Sequence, residues 1–284
     1  MRAWYWLLLC GVSFAVGAQE LRVVGGLQNP EGVLVGPDGR IYVTEVGEYH
    51  KPDDGDIMVI TEDGKLEPIT TFTLNDPRGM AAYRNYVFVA DGDHVYKINH
   101  RGRKTEHATV SEFPREPQFL HDLAADAAGN LYVSDTGDIE HGGGGAIFKI
   151  SPIGEISLVI SEDRDARIKS PSGLLVEDAR HLLVLDFFTG DLLRLDLQTL
   201  QVEKVMGGFG NAESLVRDKR GTLYVSDWKG GRVWSVDMTQ TPPVSRLYDH
   251  KFELAGDIAL TADEQFILVP DFTAGTVTWL PVQH

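Results

Sequence analysis

Cysteine is almost absent from the sequence, and cationic side chains are scarce. Cys10 is the only cysteine among 284 residues, which excludes a disulfide framework within the chain and a metal site built from several cysteines. Lysine and arginine number 26 against 42 aspartates and glutamates, and the formal net charge is −16. Because like charges repel, this charge disfavours nucleic acid and anionic membrane surfaces as partners.

No apolar run in the sequence is long enough to span a bilayer. The longest, Trp4–Val16, follows Arg2 and is succeeded by small residues up to Ala18. This is the layout of a secretory signal with cleavage near Ala18, and the run is too short for a membrane span. We therefore expect a signal peptide at residues 1–18, one domain over residues 19–284, and a periplasmic or secreted protein.

Two catalytic motifs are also missing. The chain has no Walker pattern and no strand-to-helix glycine motif, so it offers no phosphate-cradling loop. It has no Gly-x-Ser-x-Gly nucleophile elbow either, which excludes the serine chemistry of α/β-hydrolases.

What the chain does contain is a repeated apolar strand that ends in an acid. The segments IYVTE, VFVAD, LYVSD, LLVLD, LYVSD and ILVPD place these acids at Glu45, Asp91, Asp135, Asp186, Asp227 and Asp271. Successive acids lie 46, 44, 51, 41 and 44 residues apart. A period near 45 with alternating strands and glycine turns is typical of four-stranded propeller blades. The sequence thus predicts an all-β, six-bladed β-propeller, in which the strand-end acids bond nearby backbone amides.

The two ends of the chain are predicted to complete each other. Residues 20–27 form one strand without a blade, whereas the last repeat, residues 253–284, has room for only three strands. Pairing the first strand with the last blade would remove an exposed sheet edge. We expect this pairing to close the ring.

A second series of positions precedes the strand-end acids by 13 or 14 residues. Its members are Glu31, Arg78, Asp122, Ser172, Glu213 and Asp257. In a propeller the segments that enter the inner strands meet around one rim of the axial channel, so these side chains and His121 should converge there. Four carboxylates at one axis repel each other unless they are protonated or share a cation. Oxygen ligands without cysteine favour Ca²⁺, Mg²⁺ or Mn²⁺.

The entries to blades one, four and five resemble those of a known family. Asn29-Pro30-Glu31-Gly32, Pro171-Ser172-Gly173 and Asn211-Ala212-Glu213 are similar to the metal site of the senescence marker protein / gluconolactonase / luciferin-regenerating enzyme family, and the repeats resemble NHL repeats. The resemblance implies metal ligation by Glu31, by Ser172 in place of an asparagine, and by Glu213, which is also a general base. Asp257, on the same rim, completes the expected metal set, with Ca²⁺ as the first candidate and Mg²⁺, Mn²⁺ or Zn²⁺ as alternatives.

The same resemblance implies an activity. His121 occupies the position of a substrate-contacting asparagine, and Glu213, or His121 with Asp122, would draw a proton from water while the ion polarises a carbonyl. Arg78 would bind an anionic substrate group, and Trp228 would offer a ring platform or pack between blades. The expected protein is an exported, monomeric, metal-dependent hydrolase of a small lactone or related ester, sugar-derived or anionic.

Two alternatives to hydrolysis stay open at this point. One is a non-enzymatic NHL-type propeller that binds a peptide, glycan or partner protein on the same face, since propellers host both roles. The other is a lyase or isomerase that uses the metal to stabilise an enolate.

Overall fold

The computed structural model describes residues 21–69 and 72–283, and nearly all regular structure in them is β-strand. The one helical element in these ranges is a 3-10 turn at Val110–Glu112. No helix in the described part of the chain is long and apolar enough to cross a membrane. The predicted signal peptide at residues 1–18 lies outside the described residues.

The strands form six antiparallel sheets of four strands each. Blade one contains β2 (Pro30–Val35), β3 (Ile41–Glu45), β4 (Asp56–Ile60) and β5 (Leu66–Pro68). Blade two contains β6 (Pro77–Tyr83), β7 (Tyr86–Asp91), β8 (His94–Asn99) and β9 (Lys104–Ala108). Blade three contains β10 (Leu120–Ala125), β11 (Leu131–Asp135), β12 (Ala146–Ile150) and β13 (Ile156–Ser161). Blade four contains β14 (Pro171–Val176), β15 (His181–Asp186), β16 (Asp191–Asp196) and β17 (Val202–Gly207). Blade five contains β18 (Ala212–Arg217), β19 (Leu223–Asp227), β20 (Arg232–Asp237) and β21 (Val244–Leu247). Blade six contains β22 (Ala259–Leu260), β23 (Phe266–Asp271), β24 (Thr276–Pro281) and β1 (Arg22–Gly25).

The blades form a closed ring, as the sequence predicted. The innermost strand of each blade contacts those of both neighbours, and β22 contacts both β2 and β18. The N-terminal strand β1 pairs antiparallel with β24, with Arg22 opposite Trp279 and Gly25 opposite Thr276. The all-β six-bladed propeller and its closure by the N-terminal strand in the last blade are therefore confirmed.

The apolar core lies between the blades rather than within one layer. Six clusters of buried hydrophobic side chains occupy the six interfaces between neighbouring blades. Strand β15 shows the cause, because Leu182 and Val184 pack toward blade three while Leu183 and Leu185 pack toward blade five. Successive side chains of a strand point to opposite faces, and both faces of each blade are covered.

The strand-end acids bind the segment that enters the inner strand of the same blade. Asp135 accepts hydrogen bonds from the backbone N–H groups of Phe119 (2.8 Å), Gln118 (3.1 Å) and Gly137 (3.2 Å). The other five acids accept equivalent bonds from the entering segments of their own blades. Their predicted structural role is confirmed, and it fixes the backbone just before the channel-lining residues.

Candidate functional site

The pairing register determines which residue of each inner strand faces the channel at the same level. The residues paired with the six strand-end acids are Pro30, Pro77, Leu120, Pro171, Ala212 and Ala255. The next residues along the chain are therefore equivalent: Glu31, Arg78, His121, Ser172, Glu213 and Gly256. This differs from the sequence prediction in two blades, because Asp122 and Asp257 lie one position further along, at the level of Gly32 and Ser214.

Three of the equivalent residues form a compact group, which we call the axial cluster: Glu31, His121 and Glu213. The Nε2 atom of His121 lies 3.0 Å from Glu213 Oε1 and 3.6 Å from Glu31 Oε1. All three side chains are buried, and one ligand atom of each lies within 4.8 Å of the others. Glu31 Oε2, Glu213 Oε2 and His121 Nδ1 are buried without a hydrogen-bond partner.

The proton affinities in the axial cluster reflect burial and crowding. Burial raises the pKa of Glu31 to about 8, and the carboxylate of Glu213 adds to this effect. Burial alone would lower the pKa of His121, but the charges of Glu213 and Glu31 and the hydrogen bond to Glu213 outweigh it and raise the pKa to about 9. The cluster therefore holds protons that a bound cation would displace.

A second carboxylate pair, Asp122 and Asp257, lies beside the axial cluster. Asp122 accepts hydrogen bonds from the N–H groups of Leu123 (2.6 Å) and Leu174 (2.7 Å), and burial raises its pKa to about 6. Asp257 accepts a short hydrogen bond from the hydroxyl of Ser214. Burial and the nearby charge of Asp122 raise the pKa of Asp257 well above its ordinary value. Together with the two glutamates, four buried carboxylates surround the channel.

Ser172, predicted as a metal ligand, and Arg78, predicted to bind substrate, both contact other segments of the chain. The Ser172 hydroxyl donates to the backbone oxygen of Ala212 at 2.7 Å, which links blade four to blade five. The Arg78 guanidinium lies 3.8 Å from the ring centroid of Phe119 and donates to the backbone oxygen of Asp76 at 3.2 Å. Arg78 is buried and is not among the described residues that line the cavity over the cluster.

A cavity of about 280 Å³ opens over the axial cluster, and its wall is mostly aromatic. Its described lining residues are Glu31, Tyr49, Phe119, His121, Thr136, Ile139, Phe187, Glu213, Trp228, Lys229, Leu254 and Phe272. The ring centroids of Tyr49 and Phe272 are 5.4 Å apart, and those of Trp228 and Phe272 are 5.1 Å apart. Trp228 thus lines the cavity.

Most residues of this wall were not predicted from the sequence, although their position relative to the strand-end acids is regular. Thr136, Phe187, Trp228 and Phe272 each follow a strand-end acid directly, and all four line the cavity. Tyr49 and Ile139 come from the two long insertions after the second strands of blades one and three, and these insertions were predicted to lie on this face. The position directly after the strand-end acid is therefore a second position, repeated between blades, that contributes residues to the candidate site.

A further group of potential metal ligands, Glu177, Asp178 and His181, lies away from the channel. The Glu177 carboxylate already accepts two hydrogen bonds from Arg194, at 2.6 and 2.9 Å, and Asp178 pairs with His181 at 2.9 Å. These groups have partners, so we do not assign them a ligand.

Comparison with known proteins supports the fold. No family model matches the sequence, and no curated protein matches it. The chain is similar in structure to virginiamycin B lyase from Staphylococcus aureus, with a TM-score of 0.63, 13% identity, and coverage of 93% of this chain and 99% of that one. A catalytically inactive variant of that lyase with quinupristin gives 0.62 and 13%, with 93% of this chain and 99% of that chain covered. A streptogramin B lyase gives 0.63 and 12%, with 93% and 98% covered.

At these sequence identities the structural similarity shows the fold alone. No family model supports the resemblance to the gluconolactonase family. The chain is a six-bladed β-propeller whose structure is similar to the structures of these lyases.

Proposed function

We propose that this protein is a metal-dependent enzyme that cleaves the ester or lactone bond of a small molecule in the aromatic cavity. One observation carries the proposal: three buried side chains, Glu31, His121 and Glu213, converge on one point while an oxygen or nitrogen of each lacks a partner. Buried polar atoms without partners cost about 1–3 kcal/mol each, so their grouping at one point calls for a ligand.

The donor set fits a divalent cation. Glu31 and Glu213 would each contribute a carboxylate oxygen and His121 an imidazole nitrogen. A nitrogen donor suits Mn²⁺ or Zn²⁺ better than Ca²⁺, which prefers oxygen ligands alone. We therefore now rank Mn²⁺ and Zn²⁺ ahead of the Ca²⁺ that the sequence favoured.

When bound, such a cation polarises a carbonyl and lowers the pKa of a water molecule. The residues of the chain would transfer the protons. Glu213 would accept the proton of the attacking water through the carboxylate oxygen that does not bind the ion, and His121, whose Nε2 atom lies 3.0 Å from Glu213 Oε1, would orient that carboxylate. The water oxygen bonds to the carbonyl carbon, the C–O bond to the leaving oxygen breaks, and the proton passes from Glu213 to that oxygen.

Elimination is the second candidate, because the similar solved structures carry the name lyase. Glu213 would then take a proton from carbon, a C=C bond would form, and the C–O bond would break with the electron pair leaving on the carboxylate. The two reactions differ in their products. Hydrolysis in H₂¹⁸O places ¹⁸O in the product, whereas elimination gives an alkene without the label.

The first experiment is thermal unfolding of EDTA-treated protein with and without Mn²⁺, Zn²⁺, Ca²⁺ or Mg²⁺. A ligand at 100 times its Kd stabilises the native state by about 2.7 kcal/mol, or roughly 5–10 °C for a chain of this size. The shift should disappear in Glu31→Gln and Glu213→Gln. It should remain in Glu67→Gln, which makes the same change at an exposed position.

A panel of esters and lactones then tests activity in the metal-loaded protein. Turnover lost in Glu213→Gln but kept in Glu67→Gln supports the enzyme. No melting shift with any of the four ions would overturn the metal proposal and leave a propeller that binds its partner without catalysis.

A further inference from the structure

Lys229 lines the aromatic cavity and is exposed, which places it at the cavity mouth. It is the single lysine or arginine among the described lining residues. Lys229 forms no ion pair with any residue of the described ranges, whereas Lys51, Lys65, Lys204 and Lys219 are paired. The acid closest in sequence, Asp227, is engaged by the N–H groups of Asn211 (2.9 Å) and Gly230 (3.1 Å).

The turn that carries Lys229 is fixed by its own bonds. Trp228 donates its backbone N–H to Asn211 at 2.9 Å, and Gly231 donates to the Trp228 oxygen at 3.2 Å. Gly231 has a φ of +58°, and a Cβ atom there would lie 2.0 Å from the Phe252 oxygen. Because the backbone allows only glycine at this point, the turn holds Trp228 in the wall and Lys229 at the mouth together.

The size of the cavity limits what can enter. At about 280 Å³ it is larger than the roughly 150 Å³ that accommodates one benzene ring and smaller than the typical cavity of a drug-sized ligand. One ring with a short polar group fits this volume.

The chemistry of the wall distinguishes an aromatic ring from a sugar. Above the axial cluster, the neutral polar groups among the described lining side chains are the hydroxyl groups of Thr136 and Tyr49 and the indole N–H of Trp228. A sugar would bury several hydroxyl groups with few partners, at a cost for each, whereas a flat apolar ring gains contact with Trp228 and Phe272.

We propose that Lys229 and the Trp228–Phe272 wall select a substrate with one aromatic ring and an anionic group, the anion at the mouth and the ester directed to the axial cluster. This inference rests on the proposed function in taking the cavity as the substrate site. The surroundings of the two ends support the orientation: Lys229 is exposed and attracts an anion at the mouth, whereas the apolar wall deeper in the cavity would leave a buried anion without solvation.

The test uses three unreactive probes, with gluconate as a sugar-acid comparison, on EDTA-treated and on Mn²⁺-loaded protein, measured by calorimetry. Benzenesulfonate carries ring and charge, methyl phenyl sulfone carries the ring alone, and methanesulfonate carries the charge alone. Sulfonates bind metals weakly, so the readout does not depend on the ion or on turnover. We expect benzenesulfonate to bind about fivefold more tightly than the sulfone, the upper range for an exposed ion pair. Both should bind more tightly than methanesulfonate and gluconate.

Three variants test which residues cause the preference for benzenesulfonate over the sulfone. Lys229→Gln should remove the fivefold ratio and leave sulfone binding unchanged, whereas Lys251→Gln, the same change at an exposed lysine outside the cavity, should keep it. Trp228→Leu should weaken both ring probes. The inference would be overturned by equal affinities for benzenesulfonate and the sulfone, or by an affinity ratio that is unchanged in Lys229→Gln. Binding of gluconate more tightly than the ring probes, or no saturable binding of either ring probe, would overturn it as well. A metal-induced melting shift without the anion preference refutes this inference alone, and the reverse result refutes the proposed metal enzyme alone.

Discussion

Asp135 connects the stability of the propeller to the geometry of the site. Its carboxylate accepts three backbone N–H groups, and two of them, from Gln118 and Phe119, belong to the segment that leads directly into His121. Replacing Asp135 by alanine leaves these N–H groups without acceptors. We expect Asp135→Ala both to destabilise the fold and to weaken ligand binding at the axial cluster.

The expected loss of stability follows from these bonds. The N–H of Gly137 is buried and those of Gln118 and Phe119 are partly buried, so leaving all three unpaired costs at most about 1 kcal/mol each, or about 3 kcal/mol in total. Part of this is offset, because burial raises the pKa of Asp135 and removing the buried carboxylate recovers some desolvation energy. A net loss of about 2 kcal/mol remains, which lowers the melting temperature by roughly 4–8 °C.

Urea unfolding followed by tryptophan fluorescence measures this loss, with Asp163→Ala as the control. Asp163 is an exposed carboxylate in the segment that follows the same blade, and its removal should change stability by less than about 0.5 kcal/mol. Metal-induced melting shifts of both variants report the site. If Asp135→Ala loses no more stability than Asp163→Ala, the carboxylate does not anchor the entering segment and the reasoning is refuted.

Three further results are expected. Gly79→Ala should cost about 1–3 kcal/mol in urea unfolding, because its Cβ would lie 2.6 Å from Asp122 Oδ1 and 2.7 Å from that residue's Cα, whereas Gly25→Ala, at 3.5 Å from a side-chain methyl, should be tolerated. The stability of the ion-free protein should fall as the pH rises from about 5 to 9, because Glu31 and His121 keep protons in the folded state that the unfolded chain releases at lower pH. Glu31→Gln should flatten the lower part of this pH–stability curve. A stability that rises over this range would contradict the raised pKa values of the two residues. Deletion of residues 21–26 should expose the edge of β24 and give an aggregating product in size-exclusion chromatography, and a folded monomer would disprove the closure.

The fold could be predicted because the strand-end acid is a local requirement repeated in every blade. Each acid binds backbone of its own blade, so its position marks the repeat whatever happens at the axis. The level of the site residues was harder to predict. A spacing of 13 or 14 residues fits His121 and Asp122 equally well, and the pairing register shifts between Leu120 and Leu123, so strand alternation cannot tell which of them matches Glu31.

The aromatic wall was hidden for a different reason. Phe187, Trp228 and Phe272 lie 41 and 44 residues apart in sequence, and each alone looks like a core residue between blades. Only closure of the ring brings the turns that carry them around one cavity, and that convergence is a property of the whole propeller rather than of any repeat. Lys229 is likewise an ordinary surface lysine until the turn beside it is placed at the cavity mouth.

Buried polar atoms that lack hydrogen-bond partners are concentrated at the axis of the propeller, whereas the hydroxyl groups between blades have partners. In the described residues, six buried side-chain polar atoms lack a hydrogen-bond partner, and four of them belong to Glu31, Arg78, His121 and Glu213. The hydroxyl groups between blades show the opposite pattern: Thr44, Ser134 and Ser226 each donate to the backbone of the next blade. A fold that satisfies its interfaces this fully has no structural need for crowded, unpaired charge at its axis. Under the proposed function, a cation bound at the axial cluster would recover the free energy lost there, and for this reason the ion-dependent melting shift is the measurement on which that proposal depends.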